Sequence, residues 1–447
     1  MGSSILFNMI RQILPIISFL ILLTFDARSQ NLYFPPVNNN LPWDTLSPQS
    51  LGWCTDKTDS LFQYLQEENS KAFIVLKDGK IVIEKYFGSF TQDSIWYWAS
   101  AGKTLTSFLI GKAQEDGILS LADSSSRFLG TGWTSETPEK ERKITIRNQL
   151  TMTTGLKDNV PDNHCTIDTC LQYLADAGNR WAYHNAPYTL LEKVLTNASG
   201  QAINTYTQTK LKTPTGITGI WLTSDYNNVF YSKPRSMARF GLLALNKFNW
   251  NGNALLTDTA FINQSTQTSQ NFNASYGYLW WLNGKSSFMA PTSQLVFPGS
   301  YAPQAPADMF TAIGKNGQLI CVVPSKKLVV VRMGNSSNGN EVPFTLCNEI
   351  WKRLNLVICE PTQTGNMRLR PEIKLFPNPA TNELTVSGFS STTSVLEIRD
   401  VQGKIAFQQT GNFTDGILIK TSNWPSGLYL VRVTDGEHIG TFRFVKW

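Results

Sequence analysis

The stretch "WYWASAGKTLTSFLIG", residues 96–111, places a serine and a lysine one helical turn apart in an otherwise apolar sequence. Its composition predicts a mostly buried helix from Ser100 to about Gly117. Because positions i and i+3 of a helix lie on one face, Ser100 and Lys103 would bring a hydroxyl and an amine side by side. Serine is a weak nucleophile until a base takes its proton, and lysine is such a base only where burial lowers its pKa. The pair therefore predicts a nucleophile and its base.

A simpler interpretation of the same pair stays open. Ser100 would then be a helix N-cap, and Lys103 an unrelated surface residue. However, no other serine in the chain is followed three residues later by a lysine, which favours the catalytic interpretation. Near a helix start, the Ser100 N–H would also point outward, where it can donate to a developing oxyanion.

The overall composition is typical of a globular protein with a large core. The chain has 447 residues, of which 41% are hydrophobic and 16% charged, and its formal net charge is +6. This length is enough for one large domain and a smaller second unit. No basic run stands out, so the composition argues against nucleic-acid binding.

The first thirty residues have the pattern of an export signal. A basic residue is followed by an apolar run from Ile13 to Phe25 and by the small-x-small pattern Ala27-Arg28-Ser29. This order predicts a secretory signal peptide over residues 1–29, cleaved before Gln30. A membrane anchor is the alternative, but the run is short for a full span, and no later segment is apolar enough to cross a bilayer.

The cysteines and histidines indicate a structural rather than a metal-binding use. Cys165 and Cys170 lie close together in a polar stretch, which predicts a disulfide that closes one small loop. His164 beside Cys165 could suggest a metal site, but the remaining ligands are missing, so none is predicted. The chain has three histidines, and none stands in a recognisable Ser-His-Asp setting.

The order of sequence patterns predicts an α+β fold. Residues 71–88 alternate apolar and polar side chains about Asp78-Gly79, which is a strong β-hairpin signal. Helical patterns fill the middle of the chain, and strands return over residues 308–335 before a last helix. We therefore expect an antiparallel sheet flanked by helices, with a helical subdomain.

The composition changes after Cys359. A polar linker over residues 361–372 separates a large domain, residues 30–360, from a tail of short alternating strands, residues 373–447. Seventy-five residues of strands and turns predict a small all-β sandwich. The tail contains no cluster of residues that suggests chemistry.

Two further motifs supply groups that the Ser-Lys pair needs. "WAYHNAPYTLL" gives Tyr183 and Asn185 just before a helix: a phenol can relay a proton, and an amide can bind Lys103 and a substrate amide. A second Tyr-x-Asn, at Tyr226 and Asn228, weakens this signal when it is taken alone. "GKNGQ" adds Lys315 on a late strand, where an amine can bind an anionic group of the substrate.

The order of these motifs resembles the serine β-lactamase and penicillin-binding protein superfamily, in its class C-like branch with esterases and aminohexanoate-oligomer hydrolases. Segments such as "DGILSLADSSSRFL", "ITIRNQLTMTTGL", "SMARFGLLALN" and "GQLICVVPSKKLVVVRMG" also resemble that family in sequence order. The resemblance extends over residues 51–356 and implies the β-lactamase/transpeptidase-like fold.

The resemblance implies a role for each motif residue. Ser100 would be acylated, with Lys103 as its base, and Tyr183 would pass a proton to the leaving group. The substrate-binding groups would be Asn185, Lys315, Gly317 and Gln318, with the Ser100 and Gln318 N–H groups forming the oxyanion hole.

One departure from the family pattern concerns the third motif. It reads Lys-Asn-Gly where the family usually has Lys-Thr-Gly or His-x-Gly, so Asn316 lacks the hydroxyl that grips a β-lactam carboxylate. This lowers the expectation of efficient β-lactam hydrolysis.

The tail resembles the C-terminal sorting domain of the type IX secretion system. "LFPNPATNELTV", "EIRDVQGKIAF", "PSGLYLVRVTDG" and "FRFVKW" carry this resemblance. It implies handling by the type IX secretion machinery, passage through the periplasm and a secreted or cell-surface location. A carbohydrate-binding module is the alternative, but the tail's aromatic residues show no regular spacing.

Together these observations predict a secreted serine hydrolase that cleaves an amide or ester in a small-molecule or peptide-like substrate. It would work through an acyl-enzyme without metal or cofactor. A penicillin-binding D,D-peptidase and a broad esterase stay open as alternatives, as does a non-catalytic binding module on the same fold.

Overall fold

The hairpin predicted about Asp78-Gly79 begins the central sheet. Strands β1 (Ser70–Lys77) and β2 (Lys80–Tyr86) are antiparallel, and the turn residues Asp78 and Gly79 have φ angles of 51° and 86°. Positive φ at both positions is what a tight hairpin turn between twisted strands requires. The computed structural model describes residues 32–336, 342–359, 373–389, 391–400, 404–435 and 438–447, so the predicted signal peptide and linker lie outside it.

The chain forms two compact units, Met1–Glu360 and Pro361–Trp447. The strands that follow β2 in the first unit are β3 (Trp96–Tyr97), β4 (Ile220–Ser224), β5 (Asn227–Ser232), β6 (Asn249–Trp250), β7 (Asn253–Ala254), β8 (Trp281–Leu282), β9 (Ser287–Met289), β10 (Val296–Pro298), β11 (Phe310–Gly314), β12 (Gln318–Val323) and β13 (Leu328–Gly334). Four of them join β1 and β2 in the six-stranded central antiparallel sheet, in the order β2-β1-β13-β12-β11-β8, while β3, β5 and β4 form a small separate sheet.

Helices cover the central sheet and extend into a helical subdomain. They are α1 (Thr58–Glu67), α2 (Lys103–Glu115), α3 (Ser126–Leu129), α4 (Pro138–Glu141), α5 (Ile146–Leu150), α6 (Asn185–Ser199), α7 (Ile203–Thr207), α8 (Thr213–Thr215), α9 (Pro234–Leu245), α10 (Thr259–Ser265) and α11 (Phe344–Ile358). Helix α9 packs on β1, β12 and β13, and α1 packs on α11. Helix α2 packs on α6 at the start of the subdomain, and both contribute side chains to the main core.

This arrangement confirms the α+β prediction, because strands from both ends of the unit pair in one sheet. Strand β1 lies between β2 and β13, so residues more than 250 positions apart become neighbours, as in the pair Phe73 and Arg332. The buried strands β11, β12 and β13 have no exposed face, which explains their continuous apolar sequence.

Two disulfides tie segments of the first unit. Cys165 and Cys170 are bonded, which confirms the small loop predicted from their spacing. Cys54 and Cys359 form a second bond that joins the two ends of the unit, a pairing that the sequence left open.

The C-terminal unit is all β, as predicted. Its strands are β14 (Lys374–Phe376), β15 (Glu383–Ser387), β16 (Ser394–Asp400), β17 (Ile405–Gly411), β18 (Ile417–Lys420), β19 (Gly427–Asp435) and β20 (His438–Lys446). They form a sheet β14-β15-β18 and a sheet β17-β16-β19-β20. Apolar residues such as Leu384, Ile398 and Val431 are fully buried in one shared core, which makes the unit a small sandwich. In the part of the chain that the structure describes, no helix is both long and apolar enough to span a bilayer.

Candidate active site

Ser100 lies in a short 3-10 turn, Ala99–Gly102, which leads directly into α2 at Lys103. The predicted α-helix therefore begins three residues late. Ala99, just before the serine, has a φ of 46°, a left-handed conformation that costs a non-glycine residue about 1–3 kcal/mol. Backbone strain of this kind is concentrated at functional sites. The turn also leaves the Ser100 N–H in a first turn, where helical partners are missing.

Lys103 is buried beside the serine hydroxyl. Its side chain is only 3% exposed, and its Nζ donates to Ser100 Oγ at 3.0 Å and to Asn185 Oδ1 at 2.8 Å. The rings of Tyr183 and Tyr188 also face this nitrogen, with centroids 5.1 Å and 4.1 Å away. The lysine is therefore no surface residue, and the simple N-cap interpretation of the pair is wrong.

Asn185 is the first residue of α6, and Asn163 holds its amide. Both the Asn185 main-chain N–H and its Nδ2 donate to Asn163 Oδ1 at 2.9 Å. The start of α6 thus places the Asn185 amide against the Lys103 amine on α2, although the two residues are 82 positions apart in sequence.

Tyr183 lies behind Lys103, and it is 3% exposed. Its ring stacks on Trp281 and meets Tyr276 edge-on, with centroids 5.7 Å and 6.3 Å away. Tyr188, which the sequence analysis did not single out, lies closer to the lysine. Burial raises the pKa of Tyr188 far above its ordinary value, which makes this phenol a poor proton donor or acceptor near neutral pH.

A cavity of about 340 Å³ opens in front of Ser100. Its lining side chains are predominantly polar: Tyr97, Ala99, Ser100, Lys103, His164, Asn185, Tyr188, Ser224, Asn227, Asn228, Val229, Tyr231 and Lys315. They include two lysines and no carboxylate, so the cavity favours an anionic ligand. Of the predicted residues, it brings together Ser100, Lys103, Asn185 and Lys315, while Tyr183 contacts Lys103 but is not among the residues that line the cavity.

The Lys-Asn-Gly motif forms a turn between β11 and β12 and not a strand. Lys315 reaches the cavity, but Asn316 adopts a φ of 63° and its amide donates to the Tyr97 hydroxyl at 2.7 Å. Gly317 faces Arg332: a Cβ added there would lie 2.3 Å from the guanidinium Nη1. Gln318 is fully buried and donates to the Gly334 carbonyl at 2.6 Å. Gly317 and Gln318 are thus not among the residues that line the cavity.

Gly314, the last residue of β11, makes the close approach to the serine that the sequence analysis missed. A Cβ added to it would lie 2.4 Å from the Trp98 carbonyl oxygen, 2.8 Å from the Ala101 nitrogen and 3.1 Å from the Ser100 nitrogen. Only a residue without a side chain lets the strand end lie this close to the turn that carries the nucleophile. The glycine directly before Lys315 was the sequence feature from which this close approach could have been predicted.

His164, Asn227 and Asn228 are cavity residues that the sequence analysis did not assign. "SDYNNVF" was a competitor for the Tyr-x-Asn motif, yet its two asparagines lie on the cavity wall at the start of β5. His164 was considered only as a metal ligand. Among the described residues, no group of histidine, cysteine and carboxylate side chains could hold a metal ion.

Glu192 is a buried carboxyl group behind this wall. Burial raises its pKa from 4.5 to about 8, and Asn228 Nδ2 donates to it at 2.5 Å. Near neutral pH the group is mostly protonated, so it adds little negative charge to the two lysines of the cavity.

Replacing Glu192 with glutamine should remove a pH-dependent cost in stability. Above pH 4.5 the unfolded chain releases this proton, while the folded protein keeps it up to about pH 8. The contribution of Glu192 to the free energy of unfolding of the wild type therefore falls by about 1.4 kcal/mol per pH unit in that window. The variant should gain stability over the wild type as the pH rises, as measured by thermal unfolding at several pH values. Glu67→Gln at an exposed site is the control, and a constant difference between wild type and E192Q would contradict the prediction.

Two family models match the sequence. Residues 58–346 match the Beta-lactamase family, and residues 374–446 match the Secretion system C-terminal sorting domain family. The second match agrees with the all-β tail and confirms the type IX sorting domain. The chain is thus exported to the cell surface or beyond it.

Individual relatives are distant. An uncharacterized protein of Alkalihalophilus pseudofirmus is 25% identical over 305 residues, which cover 60% of this chain and 84% of that protein. A Bacillus anthracis structure, provisionally named a 6-aminohexanoate-dimer hydrolase, has a TM-score of 0.51 at 17% identity and covers 66% of this chain and 81% of its own. A penicillin-binding protein homologue from Caulobacter crescentus has a TM-score of 0.52 at 13% identity, with coverages of 68% and 98%.

The two solved structures establish the fold alone, because their sequences have diverged so far. The family match is more informative, since residues 58–346 are well over half of the 447-residue chain and include the segments that carry Ser100, Asn185 and Lys315. The chain belongs to the beta-lactamase family, whose members are generally serine hydrolases.

Proposed function

We propose that this protein hydrolyses an amide or ester bond through an acyl-enzyme on Ser100, with Lys103 as the base. The observation that carries the proposal is the 3.0 Å contact between Ser100 Oγ and the nitrogen of a lysine that is 3% exposed. A buried amine is driven toward its uncharged form, and an uncharged amine can accept the hydroxyl proton.

The acylation step uses three groups in sequence. Lys103 Nζ takes the proton as Ser100 Oγ forms a bond to the substrate carbonyl carbon. Tyr183, whose ring faces the same nitrogen, passes a proton to the departing amine or alcohol as the old bond breaks. Water then attacks the ester on Ser100 with the same groups acting in reverse, which releases the acid and restores the hydroxyl.

The oxyanion of the tetrahedral intermediate needs main-chain donors. The Ser100 N–H is one of them, as the sequence suggested. For the second donor we propose the Lys315 N–H in place of that of Gln318. The close approach of Gly314 to the Ser100 nitrogen supports this choice, because Lys315 is the next residue along the chain.

The charge of the cavity supports a substrate that carries a carboxylate. Apart from the base Lys103, the lysine that lines the cavity is Lys315, which is exposed at the cavity's edge and can meet an anionic group there. Peptide-like amides with a free carboxylate, which include the substrates of a D,D-peptidase, fit this charge. A broad esterase is the second candidate, because the tyrosines and Val229 on the wall can pack against an apolar acyl group. The intact contact between Ser100 and Lys103 argues against a non-catalytic binding module.

Active-site labelling tests this function. A fluorophosphonate probe should form a covalent adduct with the folded protein, and peptide mass mapping should place the adduct on Ser100. A fluorescent penicillin, nitrocefin, short-chain nitrophenyl esters and D-Ala-D-Ala peptides then separate the substrate classes. An adduct on another residue, or no adduct in folded protein, would count against the acyl-enzyme.

Replacing Lys315 with alanine should reduce kcat/KM for anionic substrates by about fivefold, the range for one partly exposed charge pair. A neutral analogue should be almost unaffected. The measurement compares a nitrophenyl ester that ends in a carboxylate with the neutral ester of the same length. Lys193→Ala removes the same charge from an exposed position on α6 and is the control. Equal losses of kcat/KM for both esters would show that Lys315 does not bind the substrate carboxylate.

A further inference from the structure

The orientation of the Asn185 amide follows from two main-chain groups. Asn163 Nδ2 lies 3.0 Å from the Asp158 carbonyl, which can only accept a hydrogen bond. Asn163 Oδ1 lies 2.9 Å from the Asn185 main-chain N–H, which can only donate one. The amide of Asn163 is thereby fixed, with its oxygen toward Asn185.

The position of Asn163 Oδ1 determines the orientation of the Asn185 amide in turn. Asn185 Nδ2 is 2.9 Å from Asn163 Oδ1 and must donate to it, so Asn185 Oδ1 is the atom that faces Lys103, at 2.8 Å. One hydrogen of Nδ2 is used in this bond. The second hydrogen points to His164 Nε2 at 3.4 Å, a long hydrogen bond.

The same reasoning assigns the proton on His164. Because Asn185 Nδ2 is the donor, His164 Nε2 must be the acceptor and carries no proton. The other ring nitrogen, Nδ1, lies 2.6 Å from Asn227 Oδ1 and donates to it. A chain of hydrogen bonds thus runs from Asn227 through His164 and Asn185 to Lys103.

We propose that His164, as the neutral tautomer protonated on Nδ1, is a positioning residue for this hydrolase. It accepts the second hydrogen of the Asn185 amide and, with Asn163, holds the amide oxygen on Lys103. The proposal rests on the proposed roles of Ser100 and Lys103. It also revises the expectation that Asn185 binds a substrate amide, because both hydrogens of its Nδ2 already have acceptors within the protein.

Protonation of His164 would break this arrangement. With a proton on Nε2, the ring would present a donor to the donor Nδ2 of Asn185, and the amide would lose one of its two acceptors. The Asn185 oxygen would then be held less firmly on Lys103. Activity should therefore be lower in the state in which His164 carries this second proton.

The charged groups around His164 lie on several elements. Lys103 and Lys315 share the active-site cavity with it, and the Asp162 carboxylate accepts from its main-chain N–H at 2.9 Å. His164 also lines a neighbouring cavity. The charged residues of that cavity are Lys157, Asp158, Asp162 and Arg180, of which Asp158 and Arg180 form an ion pair. A second histidine nearby, His184, cannot supply the same transition, because burial lowers its pKa to about 4.

The loop that carries these residues is held in place locally. Cys165, next to His164, is bonded to Cys170, which closes a small loop at this point of the chain. The Asn185 main-chain N–H ties the same segment to the start of α6. The segment around 163–165 is therefore attached on both sides of the imidazole.

Variants of His164 test the proposal on the full chain. His164→Gln places an uncharged amide whose oxygen can accept from Asn185 at any pH, while His164→Ala removes the acceptor. The control is His438→Gln in the C-terminal unit. For each protein, kcat, KM and the rate of fluorophosphonate acylation are measured with a neutral nitrophenyl ester from pH 5 to pH 9.

The expected results separate positioning from substrate binding. His164→Ala should lower kcat and the acylation rate by about 10- to 100-fold with little change in KM, the effect of a misplaced catalytic group. His164→Gln should stay within about threefold of the wild type at pH 8 and should lose the acid limb of the pH profile. A glutamine variant that keeps the wild-type limb, an alanine variant that keeps full activity, or an effect on KM alone would each overturn the proposal.

The tautomer can be measured without any activity. In protein labelled with ¹⁵N-histidine, His164 should show a protonated Nδ1 and an unprotonated Nε2 near neutral pH, in the wild type and equally in Ser100→Ala. The opposite tautomer would overturn the proposal even if Ser100 were the nucleophile. Conversely, an active Ser100→Ala variant with the expected tautomer would contradict the proposed function and leave the assignment of His164 intact.

Discussion

Replacing Ser100 with alanine is expected to abolish turnover and fluorophosphonate labelling while the protein stays folded. No other atom can form the acyl bond if Ser100 Oγ is the nucleophile, so kcat should fall by at least about 10³-fold. The cost in stability should be small, about 1 kcal/mol or less, because the hydroxyl is only partly buried and makes one hydrogen bond to Lys103.

A second serine on the same cavity provides the control. Ser224 lines the cavity and has no role in the proposed reaction, so Ser224→Ala should keep activity within a few fold of the wild type. Thermal unfolding of all three proteins verifies that the folds are equal. If Ser100→Ala hydrolysed nitrophenyl esters at the rate of Ser224→Ala, the nucleophile would lie elsewhere.

The parts of this site that the sequence revealed are those with short-range signals. The contact between Ser100 and Lys103 depends only on a spacing of three residues, because any helical turn brings such positions to one face. Likewise, the hairpin at Asp78-Gly79 is a local consequence of alternation and of a turn that tolerates positive φ. The Tyr-x-Asn motif just before a helix then suggested Asn185, and the order of the motifs led to the family.

The parts that the sequence did not reveal depend on contacts between distant segments. His164 contacts Asn227 across 63 residues, and no periodicity relates a loop beside a disulfide to the first residues of a strand. The sequence drew attention instead to the cysteine next to the histidine, whose partner is another cysteine five residues away. Only the fold shows that the imidazole belongs to the cavity.

The third motif, Lys-Asn-Gly, shows a different limit of prediction from sequence. "GKNGQ" contains two glycines, and both have structural reasons to be there: Gly317 takes a left-handed turn, and Gly314 lies against the serine. The sequence analysis chose the glycine that follows the lysine, because the family pattern ends in Lys-x-Gly. Which glycine lies against Ser100 depends on the residue at which β11 ends. The ends of strands and helices are what sequence patterns predict least reliably.

Replacing Gly314 with alanine should therefore lower the rate of acylation by about 10²-fold. The φ and ψ of this residue are −124° and 159°, which alanine adopts without strain, so any effect must come from the added Cβ. That atom would lie 2.4 Å from the Trp98 carbonyl oxygen and 2.8 Å from the Ala101 nitrogen. Both are main-chain atoms and cannot rotate away, so the strand end or the Ser100 turn must shift. A shift of about 1 Å in a catalytic group costs on the order of 10²-fold in rate.

Gly102→Ala is the matched control because it adds the same methyl group to the turn that carries Ser100. Its Cβ would lie 3.7 Å from the Trp221 ring, an ordinary van der Waals distance, and the residue has a helical φ of −62°. We expect this variant to keep activity near that of the wild type, while Gly314→Ala loses about 10²-fold in fluorophosphonate acylation. Thermal unfolding distinguishes a local shift from a loss of the fold. If Gly314→Ala were acylated as fast as Gly102→Ala, the end of β11 would not be part of the oxyanion site, and the second donor would have to come from another segment.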